Sequence, residues 1–183
     1  MYTAPQPELD RLMRGGAVRR LAHGYYAAIP DDRGPLWRPT AEAAGAAVAA
    51  ATFGVGRSVL VGVSAARIHH AIPRGIGVVV AAVARQHRPI RLEGGGEIRF
   101  VKRDVDRLDA RQEQLDDLGR GLVATPEQTV LDLAYRHEES IERAMEVDAI
   151  RALLLRSDVE VLERLAVDQR RMAALERARA LVR

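Results

Sequence analysis

The sequence has 183 residues, 48% of them apolar and 29% charged. That is enough chain for one domain of ordinary size with a substantial core, and too balanced a composition for a disordered segment. The absence of cysteine excludes disulfides, thiolate metal sites and cysteine nucleophiles, and an aromatic content of 4% argues against base stacking as a binding mode. Residues 1–120 carry 18 basic and 13 acidic groups and residues 121–183 carry 10 and 12, which implies a basic front and an acidic rear facing different partners.

In chain order, residues 7–14 carry Leu9, Leu12 and Met13 at helical spacing, and Gly15-Gly16 ends that pattern. Residues 17–22 and 25–29 read as two strands around a tight turn at His23-Gly24, with Pro30 as the stop. Helix, glycine, strand, turn and strand make up the second half of a winged helix. Residues 31–39 read as a linker containing Gly34, Pro35, Trp37 and Pro39. Thr40 caps an Ala-rich helix with Glu42 in its first turn, closed by Gly54-Val55-Gly56. The most apolar stretch, residues 43–56, is too short to span a bilayer and too internal for a signal peptide, so the chain is expected to be cytoplasmic.

Residues 58–63 read as a buried strand or the lead-in to a helix, 64–70 as a short helix with Ser64 as its cap, and 77–83 as a buried Val/Ala strand. A basic loop (Arg85, His87, Arg88, Arg91) precedes a strand over residues 97–101, with Ile98 and Phe100 on one face; residues 121–124 form a last short strand. The rear is helical. Thr125-Pro126-Glu127-Gln128 is a capping box, Ser140 can cap a second helix, Ser157-Asp158-Val159-Glu160 is another capping box, and a final helix covers residues 170–182. The expected fold class is α+β: a partial winged helix over residues 1–30, a linker over 31–39, and a small mixed-sheet domain with a helical C-terminal half over 40–183.

The candidate DNA-binding residues are Arg11, Arg14, Arg19, Arg20 and His23. They form a run in which residues 11–23 contain no acid, on a unit whose helix and wing can reach phosphates and guanine edges. Gly62-Val63-Ser64-Ala65-Ala66 has the form of a nucleophile elbow, with Asp104, Asp116 or Asp117 and then His137 following in hydrolase order. Only one strand lies between the linker and Ser64, too few to build a hydrolase sheet around it, so a small serine hydrolase is the weaker reading. His69 and His70 point about 100° apart on a helix and cannot share a metal from one face. Glu97 and Lys102 lie five residues apart on opposite strand faces, with Asp104 and Asp106 in the loop beyond, and do not match nuclease spacing. The rear amphipathic helices offer core stripes with one face left for a partner.

Three segments together resemble the AbiEi antitoxins of type IV toxin–antitoxin systems. Residues 9–26 are similar to that family's helix and wing. Ser64-Ala65-Ala66-Arg67-Ile68-His69-His70 is similar to its "SA..lhG" segment, with Ala71 where glycine is expected. Residues 123–134 are similar to its "v..peRtllDla" segment, with Gln128 where arginine is common. The set runs in the right order over residues 9–135. Eight residues precede Leu9 where the family has two further helices, hence the partial winged helix. The resemblance implies no catalytic residue, cofactor or metal. It implies an antitoxin opposing a cognate nucleotidyltransferase toxin and repression of its own operon through operator DNA; no membrane partner is expected, because no apolar stretch is long enough to span a bilayer. A protein-interaction module without DNA binding is the alternative within the same resemblance.

Overall fold

Glycines and proline-rich joints divide the chain into short elements. The computed structural model describes residues 5–72, 77–135 and 141–182. In order these are α1 (Pro5–Arg14), β1 (Val18–Ala22), β2 (Tyr25–Ala28), α2 (Ala41–Phe53), β3 (Ser58–Leu60), α3 (Val63–Ile68), β4 (Val78–Val83), β5 (Ile90–Arg91), β6 (Glu97–Lys102), β7 (Ala110–Gln114), β8 (Arg120–Ala124), α4 (Pro126–Tyr135), α5 (Ile141–Leu154), α6 (Val159–Asp168) and α7 (Met172–Ala180). The architecture is α+β, with a two-stranded hairpin and a mixed six-stranded sheet in the order β5-β6-β4-β3-β8-β7.

The front unit forms as its residues predict. Gly15 and Ala17 N–H groups return to the carbonyls of Arg11 and Leu12, and Gly16 adopts φ 70°, a conformation costly for other residues. β1 and β2 pair antiparallel around His23-Gly24, with a register shift between Arg20 and Ala22. That bulge places both Leu21 and Ala22 in the core. An antiparallel bridge from Ala22 to Leu92, and the Glu93 N–H bonded to the Leu21 carbonyl, join the hairpin to the β5–β6 turn. Tyr25 Oη and Thr52 Oγ1, 2.9 Å apart, join it to α2. The hairpin therefore shares one core with the sheet and α2.

In the sheet, β3 and β4 are antiparallel, β4 and β6 parallel, and β3 and β8 parallel. The edge strands β5 and β7 pair antiparallel with β6 and β8, respectively. Val79 packs against α2, where Gly45 leaves no room for a side chain: a Cβ there would lie 2.6 Å from Val79 Cγ1. Val80, next along the strand, lines a cavity with Leu133 of α4. Successive strand residues face opposite sides, so α2 and α4 cover opposite faces of the sheet. Helices α4 to α7, with Ala66 of α3, enclose a second core that includes Leu131, Ile150, Leu153, Leu162 and Leu175.

Several joints differ from the sequence expectation. β7 was not anticipated, because Arg111, Gln112 and Gln114 are exposed on an edge strand and carry no apolar alternation. Residues 31–39 lack regular structure yet are anchored. Arg33 Nε and Trp37 Nε1 each donate to Asp117 at 2.9 Å, and the Thr40 N–H donates to Asp116 at 2.8 Å. Ser64 is not the cap of α3; Gly62 is, without a side-chain bond. Thr125 Oγ1 accepts the Gln128 N–H at 3.3 Å as a capping box requires, but the Gln128 amide serves α6–α7 and the Asp109 N–H instead. Asp158, not Ser157, caps α6 through the N–H groups of Glu160 and Val161, while Ser157 Oγ donates back to the Leu153 carbonyl. Ser140 lies outside the described residues.

Candidate nucleic-acid interface

The five predicted DNA-binding residues all lie on α1 and the hairpin, but the structure does not leave them equivalent. Arg14 is exposed at the end of α1, its Nε turned to the Asp10 carbonyl at 3.3 Å. His23 is exposed at the hairpin turn. Arg11, also exposed, is paired with Glu8 one turn earlier. Arg20 is paired with Glu93 at 2.7 Å, an acid 73 positions away that the β5–β6 turn delivers to the hairpin. Arg19 is half-buried; its guanidinium donates to the Pro35 carbonyl, and its Nε is buried without a hydrogen-bond partner. A run free of acids in sequence thus receives two carboxylates in space.

Those two pairs are solvent-exposed, and such pairs are weak and screened by salt. A phosphate can compete for either guanidinium. Arg19, Arg20 and an exposed Arg38 line a small cavity of about 140 Å³ with Leu92, Glu93 and Gly95. This gathers three guanidiniums against one carboxylate beside the hairpin. Sequence reasoning placed Arg38 in the linker and missed it; its only signal was proximity to the Thr40 cap that fixes the linker's end. The basic loop continues the same side of the sheet. The bridge from Ala22 to Leu92 sets Arg91 beside His23 in register. Arg85 stacks on Phe53 at 5.8 Å within an aromatic cluster of Phe53, His87 and Phe100. The arrangement can bind phosphates through charge.

The competing motifs resolve differently. Ser64 is fully buried. Its hydroxyl accepts the Val80 N–H at 2.8 Å and an Arg67 N–H at 3.3 Å, whereas an elbow nucleophile is exposed at its turn. Asp116 and Asp117 are held by the linker, Asp104 caps the 3-10 turn at Val105–Arg107, and His137 lies outside the described residues. His69 is buried with Nε2 2.7 Å from the Ala124 carbonyl, so Nε2 carries the proton. Burial pushes its pKa below the ordinary value of 6.5, against the hydrogen bond to Ala124, which pulls it up. His70 is exposed in a left-handed conformation, φ 56°. Glu97 pairs with Arg99 at 2.6 Å, not with Lys102. Among the described residues no three of His, Asp or Glu are grouped to hold a metal, and no helix is long and apolar enough to cross a membrane.

No protein-family model matches the chain, and no curated protein matches it.

A second polar cluster escaped the sequence reading. Asp132 Oδ1 accepts from Arg103 Nη1 and Arg171 Nη1, each at 2.7 Å, and from Gln128 Nε2 at 3.0 Å. Arg103 follows β6 and Arg171 precedes α7, so these contacts tie the sheet, α4 and the α6–α7 turn together. The available signal was Asp132 itself, a charged residue on an otherwise apolar stretch of α4.

Proposed function

We propose that this chain is a non-enzymatic antitoxin of the AbiEi type, which counteracts a cognate nucleotidyltransferase toxin and binds operator DNA through α1, the β1–β2 hairpin and the adjoining Arg38. The observation that carries the reading is the ordered placement of the three resembling segments at joints of a single fold. Residues 9–26 are the helix and hairpin. Ser64, Ala65 and Ala66 form the fully buried start of α3. Residues 123–134 are the buried passage from β8 into α4. Motifs that recur because a fold needs them occupy such positions. The fold-level analogy reaches function only through the resemblance, so the biological test comes first.

That test is growth rescue: the neighbouring nucleotidyltransferase-like protein is expressed from an inducible promoter with and without this chain. Rescue supports the antitoxin reading; toxicity without rescue overturns it. For DNA, the double substitution Arg19→Glu and Arg20→Glu should abolish operator binding while rescue persists. Unchanged affinity at moderate salt removes these residues from the interface. Loss of rescue by the folded double variant removes the separation of roles.

The pairing of Arg11 with Glu8 and of Arg20 with Glu93 favours one second reading, an interaction module that keeps the antitoxin role without DNA binding. Upstream DNA that fails to bind with the usual salt dependence selects it.

A further inference from the structure

The Asp132 cluster is unevenly satisfied. Three donors converge on Oδ1, while Oδ2 is buried with no hydrogen-bond partner among the described residues. The side chain of Asp132 is 6% exposed, and those of Arg103 and Arg171 are 19% and 17% exposed. A charged acceptor left bare in the interior is unfavourable unless something supplies a donor. The two guanidiniums share a single carboxylate and are like charges at close range, so the cluster also carries an uncompensated positive charge.

Arg103 and Arg171 line two neighbouring cavities. One, about 410 Å³, is additionally lined by Arg107, Arg170, Asp104 and Asp168, with Arg107 Nη2 donating to the Asp168 carbonyl at 3.1 Å. Asp104 is engaged in capping the 3-10 turn. The other, about 240 Å³, is lined by Val63, Val80, Val101 and Tyr135, with Asp132 contributing. Tyr135 is largely exposed and carries the Arg171 guanidinium over its ring at 4.7 Å. Arg170 adds a conformational signal. It holds φ 55° at the turn between α6 and α7, where glycine is the inexpensive residue. No hydrogen bond or ion pair holds its side chain among the described residues, so strain is accepted with no contact in return.

We propose that the paired cavities bind an organic phosphate monoester. Its phosphate lies among Arg103, Arg107, Arg170 and Arg171. Its apolar or aromatic body lies against Val63, Val80 and Tyr135. Several guanidinium forks, two of them oriented by a common carboxylate oxygen, suit a tetrahedral oxyanion with many acceptor positions. Apolar walls with a few converging polar groups are the usual make-up of a small-molecule site. The site is separate from α1 and the hairpin, and the proposal does not depend on the antitoxin reading.

Calorimetric titration of the full chain with adenosine monophosphate, phenyl phosphate, inorganic phosphate and adenosine tests it. Both monoesters should bind more tightly than inorganic phosphate, and adenosine should not bind. Arg170→Gly separates ligand binding from folding, because relieving the left-handed strain should raise Tm while affinity for the monoesters falls roughly tenfold, the value of one charge-assisted contact. Tyr135→Ala, at an exposed position, should reduce the monoesters to the affinity of inorganic phosphate. Absence of binding, equal affinity for inorganic phosphate and monoesters, or an Arg170→Gly chain with raised Tm and unchanged affinity overturns the proposal and leaves the cluster as a staple between α4 and its neighbours.

Discussion

Replacing Ser64 by alanine separates a structural serine from a catalytic one, and its effect can be worked out from the sheet. β3 leaves the sheet after Leu60, although the register with β4 would place Val61 opposite Val80. The Val61 N–H still reaches the Val80 carbonyl at 3.1 Å. The Val80 N–H finds Ser64 Oγ at 2.8 Å in place of a strand partner. Alanine keeps the helix and the backbone but strands a buried donor in the central strand. An unsatisfied buried N–H costs about 1–3 kcal/mol. For a chain of this size each kcal/mol lowers Tm by about 2–4 °C. Ser64→Ala should therefore melt several degrees below the parent by differential scanning calorimetry, and a fluorophosphonate probe should label neither protein. Ser64→Thr, which keeps the hydroxyl, should lose less if its extra methyl fits. An unchanged Tm would refute the assignment of Ser64 as the acceptor for Val80. Labelling of the parent that disappears in Ser64→Ala would refute the structural role outright and return the serine hydrolase.

Three further outcomes are expected. Glu42 pairs with Arg67 in a largely buried bridge among α2, α3 and β4, and Arg67 Nη1 already lacks a partner; Glu42→Ala should cost about 3–5 kcal/mol in denaturant unfolding, as removal of one member of a buried pair does. The Arg33 hydrogen bond, assisted by Trp37, holds the Asp117 carboxyl below its ordinary value of 3.8. The contact is therefore intact above that value and lost as pH falls through the lower folded value, and the fluorescence of the single tryptophan should change in that acid window ahead of global unfolding. His69 is depressed below 6.5 by burial, so the unfolded chain binds the proton first: stability should fall as pH drops below about 6.5 and level off beneath the folded value, and His69→Gln should flatten that part of the curve measured by urea midpoints.

Local signals were legible in the sequence where one residue type decides the geometry. Gly15-Gly16 ended α1, Gly24 turned the hairpin, and Thr40 capped α2 through the Ala43 N–H. The Val/Ala run of β4 was legible because a strand buried on both faces has no polar alternation. What failed was non-local. Glu93 meets Arg20 only because the hairpin docks on the β5–β6 turn. Ser64 lost its capping role to a sheet position that β3 vacates. Arg103, Asp132 and Arg171 come from three separate stretches, and no spacing rule relates them. β7 was missed because an edge strand with exposed Arg111, Gln112 and Gln114 resembles a polar loop.

The burial of Leu21 and Ala22 beneath the hairpin bulge bears on genetic dissection. Deletion of residues 1–30 would uncover Leu92 and Thr52 and open the side of the sheet core, so loss of rescue by such a truncation would report damage to the remainder, not a contribution from the missing piece. Alleles that alter only exposed atoms, at Arg14, Arg38 or His23, leave the shared interior intact. If the proposed antitoxin reading holds, a genetic screen for regulation without protection, or the reverse, should accordingly return surface substitutions and not nested deletions.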